Sequence, residues 1–128
     1  MKRDLNLIRD ILLWAEENCD GYTYESLYQF DLLQSHGRKV IDEHITLTLE
    51  RGLIEASHAS NGYAIRRLTW DGHDFIANAK VPAVWDTAKK IAGSLAFGVF
   101  CNVLTKVATD YGQGLLGKLQ EAMDSLGF

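Results

Sequence analysis

The fold is decided by the stretch Glu50-Arg-Gly-Leu-Ile-Glu-Ala56 and, shortly after it, Tyr63-Ala-Ile-Arg-Arg-Leu-Thr-Trp-Asp-Gly-His-Asp-Phe75. Gly52 follows a long helical pattern, where a glycine ends a helix in the left-handed conformation without steric cost. Ser60-Asn-Gly62 separates two short apolar runs and predicts a tight hairpin turn. Thr69 then precedes a further helical pattern as a capping residue, with Asp71 in the first turn. The stretch predicts a helix end, a two-stranded hairpin and a capped helix.

Residues before this stretch supply two more elements. Asp4 is placed to cap a first helix that runs to about Glu17, and the helical pattern from Arg38 to Arg51 predicts another. Between them, residues 22–34 fit a short helix and a strand equally well. The order helix, two-stranded wing, helix is typical of winged helix-turn-helix domains. We therefore predict an α+β, mainly helical fold, with a winged-helix domain over residues 1–80.

Residues 81–128 are predicted to form a C-terminal helical extension. A short helix covers about Ala83 to Ile91, and Ser94 is placed to cap a long helix that reaches Tyr111. Three glycines then interrupt the pattern, and the last residues form a weak terminal helix; these glycines are Gly112, Gly114 and Gly117. The extension is expected either to pack on the first domain or to mediate dimerisation.

Charge and composition restrict the classes of partner. The 13 Lys/Arg and 17 Asp/Glu residues give a net charge of −4, which is unusual for a protein that binds phosphate backbones. The amino-terminal residues run straight into a helix, so no signal peptide is expected. No apolar run has the ~20 residues that a membrane span needs. Cys19 and Cys101 lack metal-ligand spacing. We expect a cytoplasmic protein with free thiols.

The inward faces follow from helical periodicity. In the helix from Arg38 to Arg51 the inward positions are predicted to be Val40, Ile41, Ile45 and Leu49, flanked by His44 and Leu47. We expect one core cluster that contains Leu12, Ile45, Leu49, Leu53, Leu68 and Phe75.

No catalytic or metal site is visible in the sequence. The four histidines have no cysteine or carboxylate partners at ligand spacing, and neither serine nor cysteine stands in a nucleophile motif. His44 is interpreted as a hydrogen-bonded core or interface histidine. We predict that the chain is not an enzyme and binds no cofactor.

Two binding functions remain open. In the first, the chain is a transcriptional regulator that contacts double-stranded DNA through Arg38, Lys39, Thr46, Arg66 and Arg67. In the second, it is a protein-interaction module or an inhibitor that meets a basic host protein through Asp42, Glu43 and Glu50. The acidic outer side of the second helix argues against the first function, and the wing arginines argue for it.

The long C-terminal helix is apolar over more than one face. Once Val99, Val103 and Tyr111 are packed, a second strip that includes Phe97, Phe100, Leu104 and Val107 is predicted to be free for a partner, the simplest being a second copy of the chain. The alternative, a helix used wholly in its own core, stays open.

Several segments resemble a family of short phage and prophage proteins of unknown function. The resemblance rests on Lys2-Arg-Asp-Leu-Asn-Leu-Ile-Arg-Asp10, His44-Ile-Thr-Leu-Thr-Leu-Glu-Arg-Gly-Leu-Ile54, Arg67-Leu-Thr-Trp-Asp-Gly-His-Asp-Phe75, Trp85 and Gly93-Ser94. It implies a winged-helix-like fold, a phage or bacterial origin and a place in the host cytosol, but no activity. The chain departs from the family pattern at Thr48, where leucine is usual, and at Val81-Pro82, where acidic residues are usual.

Overall fold

The computed structural model describes residues 2–26, 36–59 and 62–125, and their side chains except those of residue 59 and residues 115–124. The chain divides into two compact units, Met1–Ile76 and Ala77–Phe128. The described elements are α1 (Leu5–Asn18), α2 (Arg38–Glu50), β1 (Ile54–Ala59), β2 (Gly62–Leu68), α3 (Trp70–Ala79), α4 (Pro82–Ala92) and α5 (Phe97–Ser125). The prediction of an α+β, mainly helical chain is confirmed.

Helix α1 begins where the capping pattern predicts. The Asp4 carboxylate accepts hydrogen bonds from the backbone N–H groups of Asn6 and Leu7, which have no partner within the helix. The helix buries one broad apolar face, which comprises Leu5, Leu7, Ile8, Ile11, Leu12, Trp14 and Ala15. This face makes α1 a main contributor to the core of the first unit.

Helix α2 ends in a Schellman motif centred on Gly52. The N–H of Leu53 bonds to the carbonyl of Thr48 at 3.0 Å, and the N–H of Gly52 bonds to that of Leu49 at 3.0 Å. Gly52 has a φ of +76°, in the left-handed region that favours glycine. The predicted helix end is confirmed, and the chain leaves it directly into β1.

The inward face of α2 differs from the prediction. Its buried residues are Ile41, His44, Ile45 and Thr48, whereas Leu49 is only half-buried. Two polar side chains occupy the core face because their hydrogen bonds are satisfied there: the Thr48 hydroxyl donates to the Ile45 carbonyl at 2.7 Å. The assignment of Leu49 to the core cluster was therefore wrong, and Thr48 takes the inward position.

The hairpin pairs β1 and β2 in antiparallel register, from Ala59 opposite Gly62 to Ile54 opposite Leu68. Gly62, the first residue of β2, has a φ of +116°, and residues 60 and 61 of the predicted turn lie outside the described residues. The far side of β2 makes an isolated bridge, in which Glu25 and Ile65 exchange two backbone hydrogen bonds of 2.8 Å. In the segment that fitted helix and strand equally, residue 25 is thus extended; residues 27–34 are outside the described part.

Thr69 joins the ends of two helices. Its hydroxyl accepts from the N–H of Gly72 at 3.1 Å, which caps α3, and donates to the carbonyl of Gly52 at 2.5 Å, which lies just beyond α2. Asp71 stands in the first turn of α3. Gly72 is required at this junction because a Cβ atom there would lie 2.0 Å from the carbonyl oxygen of Leu53. The predicted cap is confirmed.

The second unit contains α4 and α5. Pro82 occupies the first turn of α4, where its missing N–H costs nothing, and Val84, Trp85 and Ala88 are buried. Ile91 is 59% exposed. It lies in the last turn of α4, where the helix presents it to solvent.

Helix α5 begins later and extends further than predicted. Its first internal hydrogen bond runs from the N–H of Phe100 to the carbonyl of Ala96, so Ser94 is not its cap. The helix passes through Gly112, Gly114 and Gly117 and ends at Ser125. A glycine costs about 1 kcal/mol in a helix interior, which weakens an established helix without ending it.

Helix α5 buries residues of the strip that was predicted to be free. Phe100 and Leu104, expected on a free strip, are fully buried, and the Phe100 ring meets the Trp85 ring edge-on with centroids 5.5 Å apart. Phe97 is half-buried and stacks on Phe100. Val99 and Tyr111, expected inside, are exposed. Periodicity identified two apolar faces, and the packing against α4 selected the one that carries Phe100.

Candidate functional site

The outer side of α2 carries the predicted acidic protein contacts and the first of the predicted DNA contacts. Arg38 and Lys39 are exposed in its first turn, whereas Glu43 and Glu50 are exposed further along and Asp42 is half-buried. Gly37 precedes the helix without a side-chain cap. The structure therefore separates a short basic start from an acidic remainder on the same helix.

Thr46, the third predicted DNA contact, is used within the fold. Its hydroxyl donates to the Asp42 carbonyl at 2.9 Å and lies 2.8 Å from the hydroxyl of Tyr63 on β2. Since the single Thr46 proton goes to Asp42, the Tyr63 hydroxyl is the donor in the second bond. Thr46 thus fixes α2 to the hairpin, and its hydroxyl has no remaining proton to offer a base.

The two hairpin arginines converge on one carboxylate. Arg66 Nη2 bonds to Glu55 Oε2, and Arg67 Nη2 bonds to Glu55 Oε1 at 2.5 Å. A β-bulge makes this possible: Glu55 pairs with Arg67 and Ala56 with Ile65, so Arg66 is an extra residue on β2. In a regular strand, adjacent side chains point to opposite faces, but at the bulge both arginines reach Glu55.

The two arginines and Glu55 have a combined charge of +1. The hydrogen bonds from Arg67 and Arg66 lower the pKa of the Glu55 carboxyl to about 2, so it is ionised at neutral pH. The carboxylate in turn raises the pKa of Arg67. A phosphate group that approached these arginines would have to compete with an ion pair that is already formed.

Sequence reasoning named Arg66 and Arg67 but missed Glu55. In a regular hairpin in which Ala59 lies opposite Gly62, Glu55 would lie opposite Arg66. The contact between Glu55 and Arg66 could therefore have been predicted from the sequence. The bulge, which brings in Arg67, has no glycine at its site and leaves no local signal.

His44 ties α2 to the start of α1. Its Nε2 accepts from the N–H of Asp4 at 2.8 Å, and its Nδ1 lies 2.7 Å from the Val40 carbonyl, so Nδ1 carries the proton. The side chain is fully buried. The interpretation of His44 as a hydrogen-bonded core histidine is confirmed.

An open cleft of about 190 Å³ lies elsewhere in the first unit. Its lining residues come from the end of α1, the following turn, the end of β2 and the first turn of α3; they are Ala15, Glu16, Cys19, Asp20, Gly21, Arg67, Leu68 and His73. Sequence reasoning did not bring these residues together, because they come from two stretches, 15–21 and 67–73, that are more than forty residues apart in the chain.

The thiol in this cleft is not an activated nucleophile. Burial, with smaller contributions from Glu25 and Asp20, raises the pKa of Cys19 to about 11, so the thiol is protonated at neutral pH. Its Sγ–H donates to the Ile65 carbonyl at 3.4 Å. Within the described ranges, no group of three or more histidine, cysteine or carboxylate residues is placed to hold a metal ion.

The comparisons with known proteins concern the part of the chain that carries α2 and the hairpin. A family model described as "Hypothetical protein (DUF2513)" matches residues 2–98. The chain belongs to this family. The DUF2513 match spans all the elements from α1 to α4 and ends in the first turn of α5, so the candidate surfaces on α2 and the hairpin lie inside it, whereas most of α5 lies beyond it.

A relative from Haemophilus influenzae, described as an uncharacterized protein, is 29% identical to this DUF2513 chain over 120 residues. The alignment covers 84% of the chain and 92% of the relative. No solved structure matches the chain. In the described part of this DUF2513 protein, none of the helices combines the length and hydropathy that a membrane span requires.

Proposed function

We propose that this chain is a non-catalytic binding protein of phage or prophage type that acts in the bacterial cytosol. Its first unit has a winged-helix-like arrangement and presents the outer side of α2 to a protein partner with a basic surface. The order of α2, the β1–β2 hairpin and α3 supports this arrangement, as does the Glu25 bridge on the far side of β2.

The observation that carries the proposal is the capture of both wing arginines by Glu55. Non-specific affinity for nucleic acid comes mainly from cations that replace counterions on phosphates. Here the two wing cations are already paired with a carboxylate. The hairpin is therefore poorly suited to hold a DNA backbone.

The acidic side of α2 suits a basic protein instead. Glu43 and Glu50 are exposed on the same helix, and residues 1–80 carry 9 Lys/Arg against 13 Asp/Glu, a net charge of 9 − 13 = −4. Complementary charge steers encounter and excludes wrong partners. The same charge repels a duplex.

A second candidate function is DNA binding through the start of α2. The adjacent exposure of Arg38 and Lys39 favours it, since two cations in the first turn of a helix can meet phosphate together with the backbone N–H groups. Filter binding of a labelled duplex at low and moderate salt separates the two functions. The protein-binding proposal predicts no retention of the duplex by the wild-type chain at low salt. Duplex binding that weakens in an Arg38→Ala, Lys39→Ala variant would refute it.

A positive test uses a labelled lysine- and arginine-rich peptide and measures fluorescence anisotropy. Glu43→Gln with Glu50→Gln should weaken binding, whereas the control Glu17→Gln with Asp74→Asn removes the same charge from exposed positions on other helices. Equal losses in both variants would mean that only net charge matters, and the α2 face would lose its assignment.

The proposal includes homodimerisation through the C-terminal helix, but through a different face of that helix from the one that the sequence predicted. Among the side chains of α5 that the structure describes, the large apolar ones that are exposed are Val99 and Tyr111, so we expect a dimer to form there and not through Phe100. Light scattering should give twice 14.3 kDa, and Val99→Asp should restore the monomer mass. A mass of 14.3 kDa over a tenfold concentration range would contradict the dimer.

A further inference from the structure

A fully buried histidine joins the start of α1 to α2, and its hydrogen bonds require an uncharged ring. Nε2 of His44 accepts from the N–H of Asp4 at 2.8 Å, and Nδ1 donates to the carbonyl of Val40 at 2.7 Å. A backbone N–H can only donate and a carbonyl can only accept. A proton added at Nε2 would therefore point at the N–H of Asp4, and this hydrogen bond would be lost.

Asp4 contributes both its backbone and its side chain at this junction. While its N–H donates to His44, its Oδ1 atom accepts from the N–H groups of Asn6 at 3.0 Å and Leu7 at 3.2 Å. The carboxylate belongs to the residue that contacts the ring, so rotation about its Cα–Cβ bond can turn it toward Nε2. A carboxylate bonds to a protonated imidazole about twice as strongly as neutral partners bond to each other.

The charged groups of α2 and of the hairpin leave Asp4 as the residue that responds to this ring. The hairpin packs on α2, and its charges there are paired with one another, Arg66 and Arg67 with Glu55. On α2 itself, the residues one turn before and after His44 carry no charge; they are Val40, Ile41, Leu47 and Thr48.

The other titratable groups lie on the side of α1. Arg3 precedes Asp4 in the chain, and Asp10 lies two turns beyond it. Burial raises the pKa of the Asp10 carboxyl, Arg9 and His36 lower it, and Asp4 raises it. Since His36 also titrates near neutral pH, any test has to separate its effect from that of His44.

We propose that His44 and Asp4 form an acid-sensitive switch at the start of α1. With His44 neutral, the N–H of Asp4 is bonded to the ring and the Asp4 carboxylate caps the helix. When a proton from solvent binds Nε2, the N–H is displaced and the carboxylate turns from the cap to the imidazolium. The N–H groups of Asn6 and Leu7 then lose their acceptor, and the first turn of α1 loosens. The switch lies on the inner side of α2 and goes beyond the binding function proposed for the outer side.

An NMR titration of the ¹⁵N-labelled full chain tests the switch. It runs from about pH 7.5 to about pH 5, a range that contains the ordinary titration of histidine near 6.5 and stays above that of carboxyl groups. The ring nitrogen signals of His44 should show protonation, and the amide signals of Asp4, Asn6 and Leu7 should shift with the same midpoint. The amide signal of Leu53, beyond the other end of α2, should stay in place.

Three outcomes of this titration would overturn the switch. The first is a His44 ring that stays neutral over the whole range. The second is a protonated ring with unshifted amides at Asn6 and Leu7. The third is the simultaneous loss of the native signal of Leu53, which would mean that acid unfolds the first unit as a whole.

Variants assign the effect to the two residues. Asparagine caps a helix about as well as aspartate but has no charge. In Asp4→Asn, protonation of His44 should therefore need a roughly tenfold higher proton concentration, because the charge-assisted hydrogen bond is missing. In His44→Gln the side-chain oxygen can still accept from the N–H of Asp4 but does not titrate, so the shifts at Asn6 and Leu7 should disappear.

His36→Gln provides the matched control, since it removes the other histidine near the start of α1. The shifts at Asn6 and Leu7 should persist in this variant with an unchanged midpoint. Their disappearance would assign them to His36 and refute the proposal, as would an unchanged midpoint of His44 in Asp4→Asn. Asp4 and His36 are only half-buried, so these two variants decide the question even if His44→Gln does not fold.

Discussion

Replacing Thr69 by alanine removes a hydroxyl that makes two hydrogen bonds at once. It caps α3 through the N–H of Gly72 and donates to the carbonyl of Gly52 at the end of α2. Loss of an N-cap costs typically about 1 kcal/mol, and loss of a further hydrogen bond costs roughly another 1 kcal/mol. We therefore expect Thr69→Ala to lower the free energy of unfolding by about 2 kcal/mol, twice the effect of a simple cap.

Urea denaturation followed by circular dichroism measures this loss, and Thr69→Ser provides the matched control. Serine keeps the hydroxyl and both hydrogen bonds, so it should retain most of the stability. Amide hydrogen exchange at Gly72 gives a local readout, since this N–H loses its partner in the alanine variant. A loss below about 0.5 kcal/mol, or equal losses in the two variants, would refute the bridging role of Thr69.

Three more substitutions test other parts of the first unit. Gly72→Ala should destabilise the chain more than an ordinary glycine-to-alanine change, because the new Cβ would lie 2.0 Å from the carbonyl oxygen of Leu53; a stable variant would contradict the close approach. Leu12→Ala should cost about 2–5 kcal/mol and Leu49→Ala clearly less, since only the first is fully buried; urea midpoints decide between this order and the reverse. The pKa of Glu55 is lowered from 4.5 to about 2, so its contribution to stability is present above pH 4.5 and is lost as the pH falls toward 2. In Glu55→Gln the free energy of unfolding should therefore fall less steeply in acid. An unchanged acid dependence would refute the stabilising ion pairs of Glu55 with Arg66 and Arg67.

The sequence predicted the element ends of the first unit well because each end is decided locally. The carboxylate of Asp4, the missing side chain of Gly52 and the hydroxyl of Thr69 act on backbone groups within a few residues. Such signals can be read without knowledge of the tertiary structure. They also fixed the order of helix, hairpin and helix on which the proposed winged-helix-like arrangement depends.

The inward face of α2 could not be predicted in the same way. Periodicity placed Leu49 inside, yet His44 and Thr48 occupy the buried positions because their polar atoms find partners in the fold. One of these partners, the N–H of Asp4, is forty residues away in the sequence. A hydrophobic pattern contains no information on such distant pairing.

In the C-terminal unit, too, the hydrophobic pattern alone could not predict which face is buried. Two faces of α5 are apolar, and only the contact with Trp85 decides that Phe100 lies inside and Val99 outside. For the candidate site, the sequence indicated which residues are charged but not that Glu55 engages both arginines. Protein binding stays a prediction, which the acidic side of α2 and the pairing of Arg66 and Arg67 with Glu55 favour over DNA binding.

The bulge at Arg66 has a consequence for how this hairpin accommodates changes in length. Ile65 and Leu68 are three positions apart, so in a regular strand they would face opposite sides of the sheet, yet both are buried. The additional residue restores the alternation and lets both side chains enter the core. Loss of Arg66 would leave Ile65 and Leu68 two positions apart and so on the same face of β2; it would remove one positive charge and the carbonyl that accepts from the N–H of Gly21. We therefore expect that a change of length at this position alters the surface charge and leaves these two core side chains in place.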